Sequence, residues 1–133
     1  MRRLIDFSQP VAILLLAILH AIPDEADPFG SVAQLRAVMA PGSYLAISHA
    51  DVSVNHVVGT RRLTDAAREL EESNKATMDV PARTRDQIAG FFGDLTLVKP
   101  GLTDVWAWRP DEGMVTPMNS DFLRMIGAVA RKG

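Results

Sequence analysis

No cysteine occurs among the 133 residues, and the only imidazoles are those of His20, His49 and His56. The first absence removes disulfides, thiolate nucleophiles and zinc–thiolate sites, and it agrees with a reducing cytoplasm. Long blocks of like charge are also missing: 14 Lys and Arg stand against 16 Asp and Glu, for a formal charge of -2 and a pI near 5.9. That balance leaves no electrostatic footprint for DNA or RNA. There are no internal repeats and no low-complexity segments. The longest apolar run, Val11 to Ile22, is about twelve residues, whereas a helix that crosses a bilayer takes about twenty. Arg2-Arg3 ahead of the run imitates an export signal. Against export, Asp6, Gln9 and Pro10 interrupt the approach and no small-x-small cleavage site precedes Asp24-Glu25. With 47% hydrophobic and 23% charged residues, the length fits one soluble globular domain, residues 1–133.

Unbroken apolarity from Val11 to Leu19 predicts a strand covered on both faces of a parallel sheet. Asp27 and Pro28 then read as the N-cap and first residue of a helix whose apolar side comprises Phe29, Val32, Ala33, Leu35, Ala37, Val38 and Met39, stopped by Pro41-Gly42. A second strand, Tyr44 to Ser48, completes a βαβ unit and should run parallel to the first. Thr64 to Glu72, within the polar segment Val57 to Asn74, reads as an exposed helix. Lys75 to Arg83 reads as a loop. Thr84-Arg-Asp-Gln87 forms a capping box for a helix from Arg85 to Phe92, with Gly93 placed to end it. Leu95 to Val98 and Val105 to Arg109, around the turn Lys99-Pro-Gly101, suit one interrupted strand or two short ones. Leu123 to Ala130 suits a closing antiparallel strand.

Several segments together carry a family resemblance. Asp6-Phe-Ser-Gln-Pro10, the run ending in His20-Ala-Ile-Pro-Asp24, Ala40-Pro-Gly-Ser-Tyr-Leu45 with Ser48-His49, Lys99-Pro-Gly-Leu102, Trp108-Arg-Pro-Asp111 and Gly127-Ala-Val-Ala-Arg-Lys132 resemble the C-terminal half of the actinobacterial S-adenosyl methyltransferase family. The resemblance implies an α/β fold: a partial class I, Rossmann-like sheet of strands four to seven with flanking helices, the last strand antiparallel. It implies S-adenosylmethionine as cofactor and a small-molecule methyl acceptor. The cofactor-binding N-terminal half has no counterpart, and no Gly-x-Gly is present to cradle the methionine part.

On that template Ala17, Ile18, Leu19 and His20 lie beside the cofactor, although Ala17 to Leu19 could equally be core. Ligands in open α/β sheets sit at the carboxyl ends of strands, which points to the same place. His20 and His49 are the candidate catalytic groups, since an imidazole can take a proton near neutrality. Each could instead satisfy a backbone group. Asp24, Glu25 and Asp27 complement a helix start better than they make a metal site, so no metal is expected. Trp106 and Trp108, two apart, should share one face of a strand. Arg83 and Arg85 could bind an anion, though a solvated loop is the commoner fate of such residues.

Two functions remain open. One is methyl transfer; the other is a catalytically inactive remnant acting as a dimerisation or interaction module. In the intact fold strand four pairs with strand one, so Val11 to Leu19 becomes an apolar edge expected to pair with a second copy or a partner chain. The expected location is cytoplasmic, with no membrane and no nucleic-acid partner.

Overall fold

Left-handed backbone at Ala17, φ 54°, ends the first strand three residues short of Leu19. The computed structural model describes residues 4–51, 81–113 and 124–133. Within them lie strand β1 (Ala12–Leu16), helix α1 (Pro28–Val38), β2 (Tyr44–Asp51), helix α2 (Arg85–Gly90), β3 (Thr96–Leu97), β4 (Thr103–Asp104) and β5 (Arg124–Arg131). The helix expected at Thr64 to Glu72 lies outside the described residues.

β1 and β2 pair in parallel, Ile13 beside Leu45 and Leu15 beside Ile47, as a βαβ unit requires. β5 runs antiparallel along the whole of β2, from Tyr44 opposite Arg131 to Asp51 opposite Arg124. The sheet order is β1-β2-β5-β3, and β4 also pairs with β5. One parallel pair thus stands beside three antiparallel ones. β3 falls within the expected Leu95 to Val98, but the second half is displaced: β4 precedes the expected Val105 to Arg109, which opens instead as a 3-10 turn.

Both helices begin as their sequences dictate. The Asp27 carboxylate accepts from the Gly30 amide at 2.9 Å. At α2 the capping box is complete: the Gln87 amide donates to Thr84 Oγ1 and the Thr84 amide donates to Gln87 Oε1. At the far end of α1, Lys132 Nζ donates to the carbonyls of Arg36 and Ala37, placing a cation at the negative end of the helix dipole. Beyond α2 the chain turns at Gly93, φ +55°, where a side chain would be strained and a Cβ would displace the Arg36 guanidinium.

One face of the sheet holds the core. Leu45 and Ile47 from β2 and Ala128 and Ala130 from β5 pack with Leu19, Val32, Met39, Phe91, Phe92 and Leu95. Ile13 and Leu15 of β1 reach the same cluster and are half-buried. The opposite face of β1 corrects the sequence reading: Leu14 and Leu16 are 62% and 53% exposed. Among the described residues β1 is the sheet edge, and on that face only Val105 and Trp108 approach it, beside Leu16. Continuous apolarity reports a strand suited to two covers without supplying the second. α1 is likewise narrower than its apolar residues suggest, with Val38 half exposed and Val32 and Met39 buried.

The second correction concerns the tryptophans. Val105–Ala107 is a single 3-10 turn, so Trp106 and Trp108 do not share a face. Trp106 is exposed, while Trp108 lines an apolar groove with Leu16, Ala46 and Val105. Gly127 allows this turn to lie close, because a Cβ there would stand 3.0 Å from the Ile47 carbonyl oxygen and 3.4 Å from Val105 Cγ2.

Candidate functional site

At and beyond the carboxyl ends of β1 and β2 lie three of the four buried polar side chains among the described residues, His49, Asp51 and Arg83. Leu16, the last residue of β1, pairs with Ser48, so β2 runs three residues further and places His49 and Asp51 past the end of its neighbour. The Ala17 amide bends back to the Ser48 carbonyl and hydroxyl, and a 3-10 turn, Leu19–Ala21, crosses over. This brings the His20 ring 5.8 Å from that of His49, edge to face.

Arg83 organises the cluster. Its Nη1 donates to the Leu19 carbonyl at 2.6 Å and to His49 Nε2 at 3.0 Å. Its Nη2 donates to the Ile22 carbonyl at 2.7 Å and to Asp24 Oδ1 at 2.8 Å, and its Nε reaches the same oxygen at 3.2 Å. The guanidinium also lies 5.6 and 5.4 Å from the ring centres of Phe29 and Phe91, which are themselves stacked. The solvated-loop reading of Arg83 is therefore corrected: it is buried, because five hydrogen bonds to four acceptors and two aromatic faces replace its water. Arg85 keeps a surface position and donates to the buried carboxylate of Asp51 at 3.1 Å.

The model of the S-adenosyl methyltransferase family matches residues 1–133. The chain belongs to this family. Among solved structures, a DUF574 family protein from Streptomyces avermitilis MA-4680 superposes with a TM-score of 0.77 at 31% identity, over 97% of this chain and 47% of that one. A candidate methyltransferase from Thermobifida fusca YX gives a TM-score of 0.72 at 33% identity, over 96% of this chain and 45% of that one. The chain thus spans about half the length of the solved structures it matches. No curated protein sequence matches it. The sheet described above is accordingly part of a methyltransferase-type fold.

Within this member of the S-adenosyl methyltransferase family the nominated residues divide sharply. Ala17 and Ile18 are exposed on the turn, and the Leu19 side chain belongs to the core while its carbonyl serves Arg83. His20 is half-buried, and its Nδ1 is buried without a hydrogen-bond partner among the described residues. His49 is different. Arginine never accepts, so His49 Nε2 must be the unprotonated nitrogen that receives the Arg83 bond, and Nδ1 carries the proton it donates to the Ala50 carbonyl at 2.7 Å. Both nitrogens are engaged in a fully buried ring.

Two of the three acidic residues after β1 are also committed. Asp24 pairs with Arg83 and Asp27 caps α1. Among the described residues no group of three or more His, Asp or Glu side chains could hold a metal ion, and no helix is long and apolar enough to cross a membrane. The groove on the other sheet face, lined by Leu16, Ala46, Ser48, Val105, Trp108 and the strand β5, offers no ionisable side chain.

Burial holds the His49 imidazole below its ordinary value of 6.5, and the nearby charges of Arg83 and His20 act in the same direction. The bond to Ala50 and the charge of Asp51 oppose the shift but do not reverse it. The unfolded chain therefore binds a proton here more readily than the native one. The stabilising contribution is fully present above about pH 6.5 and is lost as pH falls through the lowered native value. Urea midpoints measured between pH 7.5 and pH 5 should fall in that window. The slope should be shallower in His49→Gln, whose side-chain oxygen still accepts from Arg83. Equal slopes in the two proteins would contradict the assignment.

Proposed function

We propose that this chain forms one flank of an S-adenosylmethionine-dependent methyl-transfer site. The turn Ala17 to His20 lies against the cofactor, and His20 takes the proton from a small-molecule hydroxyl or amine acceptor. The observation that carries the reading is the juxtaposition at the carboxyl end of the parallel pair, where the exposed residues Ala17 and Ile18 stand beside an imidazole whose buried Nδ1 has no partner among the described residues. Open α/β sheets bind their ligands at that end. A buried polar atom left without a partner is costly, and a ligand that completes it recovers the loss.

When bound, S-adenosylmethionine supplies an electrophilic methyl group on a sulfonium centre. What remains for the protein is alignment and proton removal. His49, with both nitrogens occupied, supports the turn through Arg83 and leaves the proton to His20. The residues present fit one side of such a ligand. No Gly-x-Gly occurs in the sequence, so on this reading the remaining contacts come from a surface outside these 133 residues.

The edge strand supplies the place for that surface. Among the described residues β1 has a partner on one side only, and Leu14 and Leu16 are exposed along it. Pairing with a second copy would satisfy the free amides and carbonyls of the edge and cover those side chains. This favours a homodimer, and with it the second reading, an interaction module without catalysis. Both readings suit a cysteine-free cytoplasmic protein.

Calorimetric titration of the folded chain with S-adenosylmethionine, with sedimentation equilibrium on the same sample, separates them. Saturable heat at micromolar ligand together with a dimer mass is the expected result. A dimer that takes up no ligand leaves the interaction module. A monodisperse monomer whose β1 amides exchange freely rejects the paired edge.

A further inference from the structure

Arg83 is the bulkiest fully buried side chain among the described residues. A guanidinium has five N–H donors, and the five contacts to Leu19, Ile22, Asp24 and His49 use all of them. Three of the four partners, Leu19, Ile22 and Asp24, belong to one short segment, the turn that leaves β1. The fourth, His49, is on β2, so the side chain fastens the turn to the strand beneath it. The stacked rings of Phe29 and Phe91 bound the guanidinium and hold its plane.

Besides Arg83, the turn is anchored at its start by the Ala17 amide on Ser48 and by the buried Leu19 side chain. From His20 to Asp24 the turn takes its long-range hydrogen bonds, among the described residues, from Arg83. Its own bonds are the short closures from the Ala21 amide to the Ile18 carbonyl at 3.0 Å and from the Ile22 amide to the Leu19 carbonyl at 3.2 Å. The Ala17 and Ile18 side chains are exposed and contribute little packing.

We infer that Arg83 is a positioning residue for cofactor binding: through the Leu19 and Ile22 carbonyls and Asp24 it fixes the shape of the turn that carries Ala17, Ile18 and His20. This rests on the cofactor reading proposed above. Arg83 makes no contact with the ligand and acts only through the backbone it holds. Lysine cannot replace it, because three donors on one tetrahedral nitrogen do not span four partners set around a planar fork.

The test uses the full chain with S-adenosylmethionine as the probe, first on the unsubstituted protein and then on Arg83→Lys and Asp24→Asn. In Arg83→Lys, cooperative unfolding is retained and amides of β2 paired with β5 keep their protection. The Ala21 and Ile22 amides exchange about tenfold faster, and the dissociation constant rises about tenfold, as for the loss of one charge-assisted hydrogen bond. Asp24→Asn removes only the partner at the surface, where the Asp24 side chain is 62% exposed, and so must fold. It weakens binding about threefold, with the unfolding midpoint unchanged. If Arg83→Lys fails to fold, the Asp24→Asn affinity decides alone. Unchanged affinity in the folded variants, whatever their amide exchange, makes Arg83 an ordinary core tie and overturns the inference. Absence of binding by the unsubstituted protein rejects the cofactor reading itself and is seen before any substitution is made.

Discussion

Replacing Arg83 with methionine lowers the stability of the chain by about 3 kcal/mol, because it leaves the Ile22 carbonyl and His49 Nε2 without their donor and the Leu19 carbonyl with the Ile22 amide alone. Methionine fills nearly the same volume, so the loss is not that of a cavity. Each buried acceptor left unsatisfied costs roughly 1–3 kcal/mol. The ion pair itself adds little, since Asp24 is mostly exposed and regains its water. The measurement is a urea unfolding curve at pH 7.5, where His49 is neutral and its titration does not interfere. A loss below about 1 kcal/mol would mean that water replaces the guanidinium at no cost and that the five bonds are not a structural necessity.

Phe91→Ala should be as damaging, at about 3–5 kcal/mol, the range for truncating a buried aromatic side chain. Phe91 is 1% exposed and stacks on Phe29 with ring centres 4.1 Å apart and planes 3° from parallel. It also forms one wall of the Arg83 pocket, and its own carbonyl accepts from Arg36 Nη1 at 3.1 Å, a backbone bond the substitution leaves intact. The two residues touch, so their effects should not add. In the double variant Arg83→Met/Phe91→Ala the coupling should amount to about 0.5–3 kcal/mol. Strict additivity would show that the aromatic wall and the hydrogen-bonded fork stabilise the turn independently.

Local signals in the sequence were reliable where their causes are local. Asp27 with Pro28 caps α1, Thr84 with Gln87 closes the box at α2, and Gly93 turns the chain, because each depends on residues within a few positions. The closing strand was legible from its apolar run and from the family resemblance. The position of β1 at an edge was not, because a strand's own composition states what cover it accepts and not what cover it receives. Arg83 was misread for a similar reason. Its partners lie 34 to 64 residues away in sequence, and a basic residue just before a helix carries no mark of acceptors supplied by a distant turn. The same distance hid the spent condition of His49, which from sequence is simply an imidazole at a strand end. Its neutral tautomer follows only once the guanidinium is seen at Nε2.

The place of β5 bears on how the chain comes off the ribosome. β5 follows both β2 and β3 in sequence, yet in the sheet it lies between them. Every described pairing of β3 and β4 is to β5, and one entire side of β2 is too. While β5 is still inside the exit tunnel, the nascent chain can assemble no more of this sheet than the β1–β2 pair, and Leu45 and Ile47 lack their neighbours Ala130 and Ala128. Formation of this sheet therefore waits for β5 and is dominated by contacts between distant parts of the chain, which makes it slow. Until β5 inserts, two strand edges and the apolar surface beneath them stay exposed, and it is during that interval that the protein most needs a chaperone.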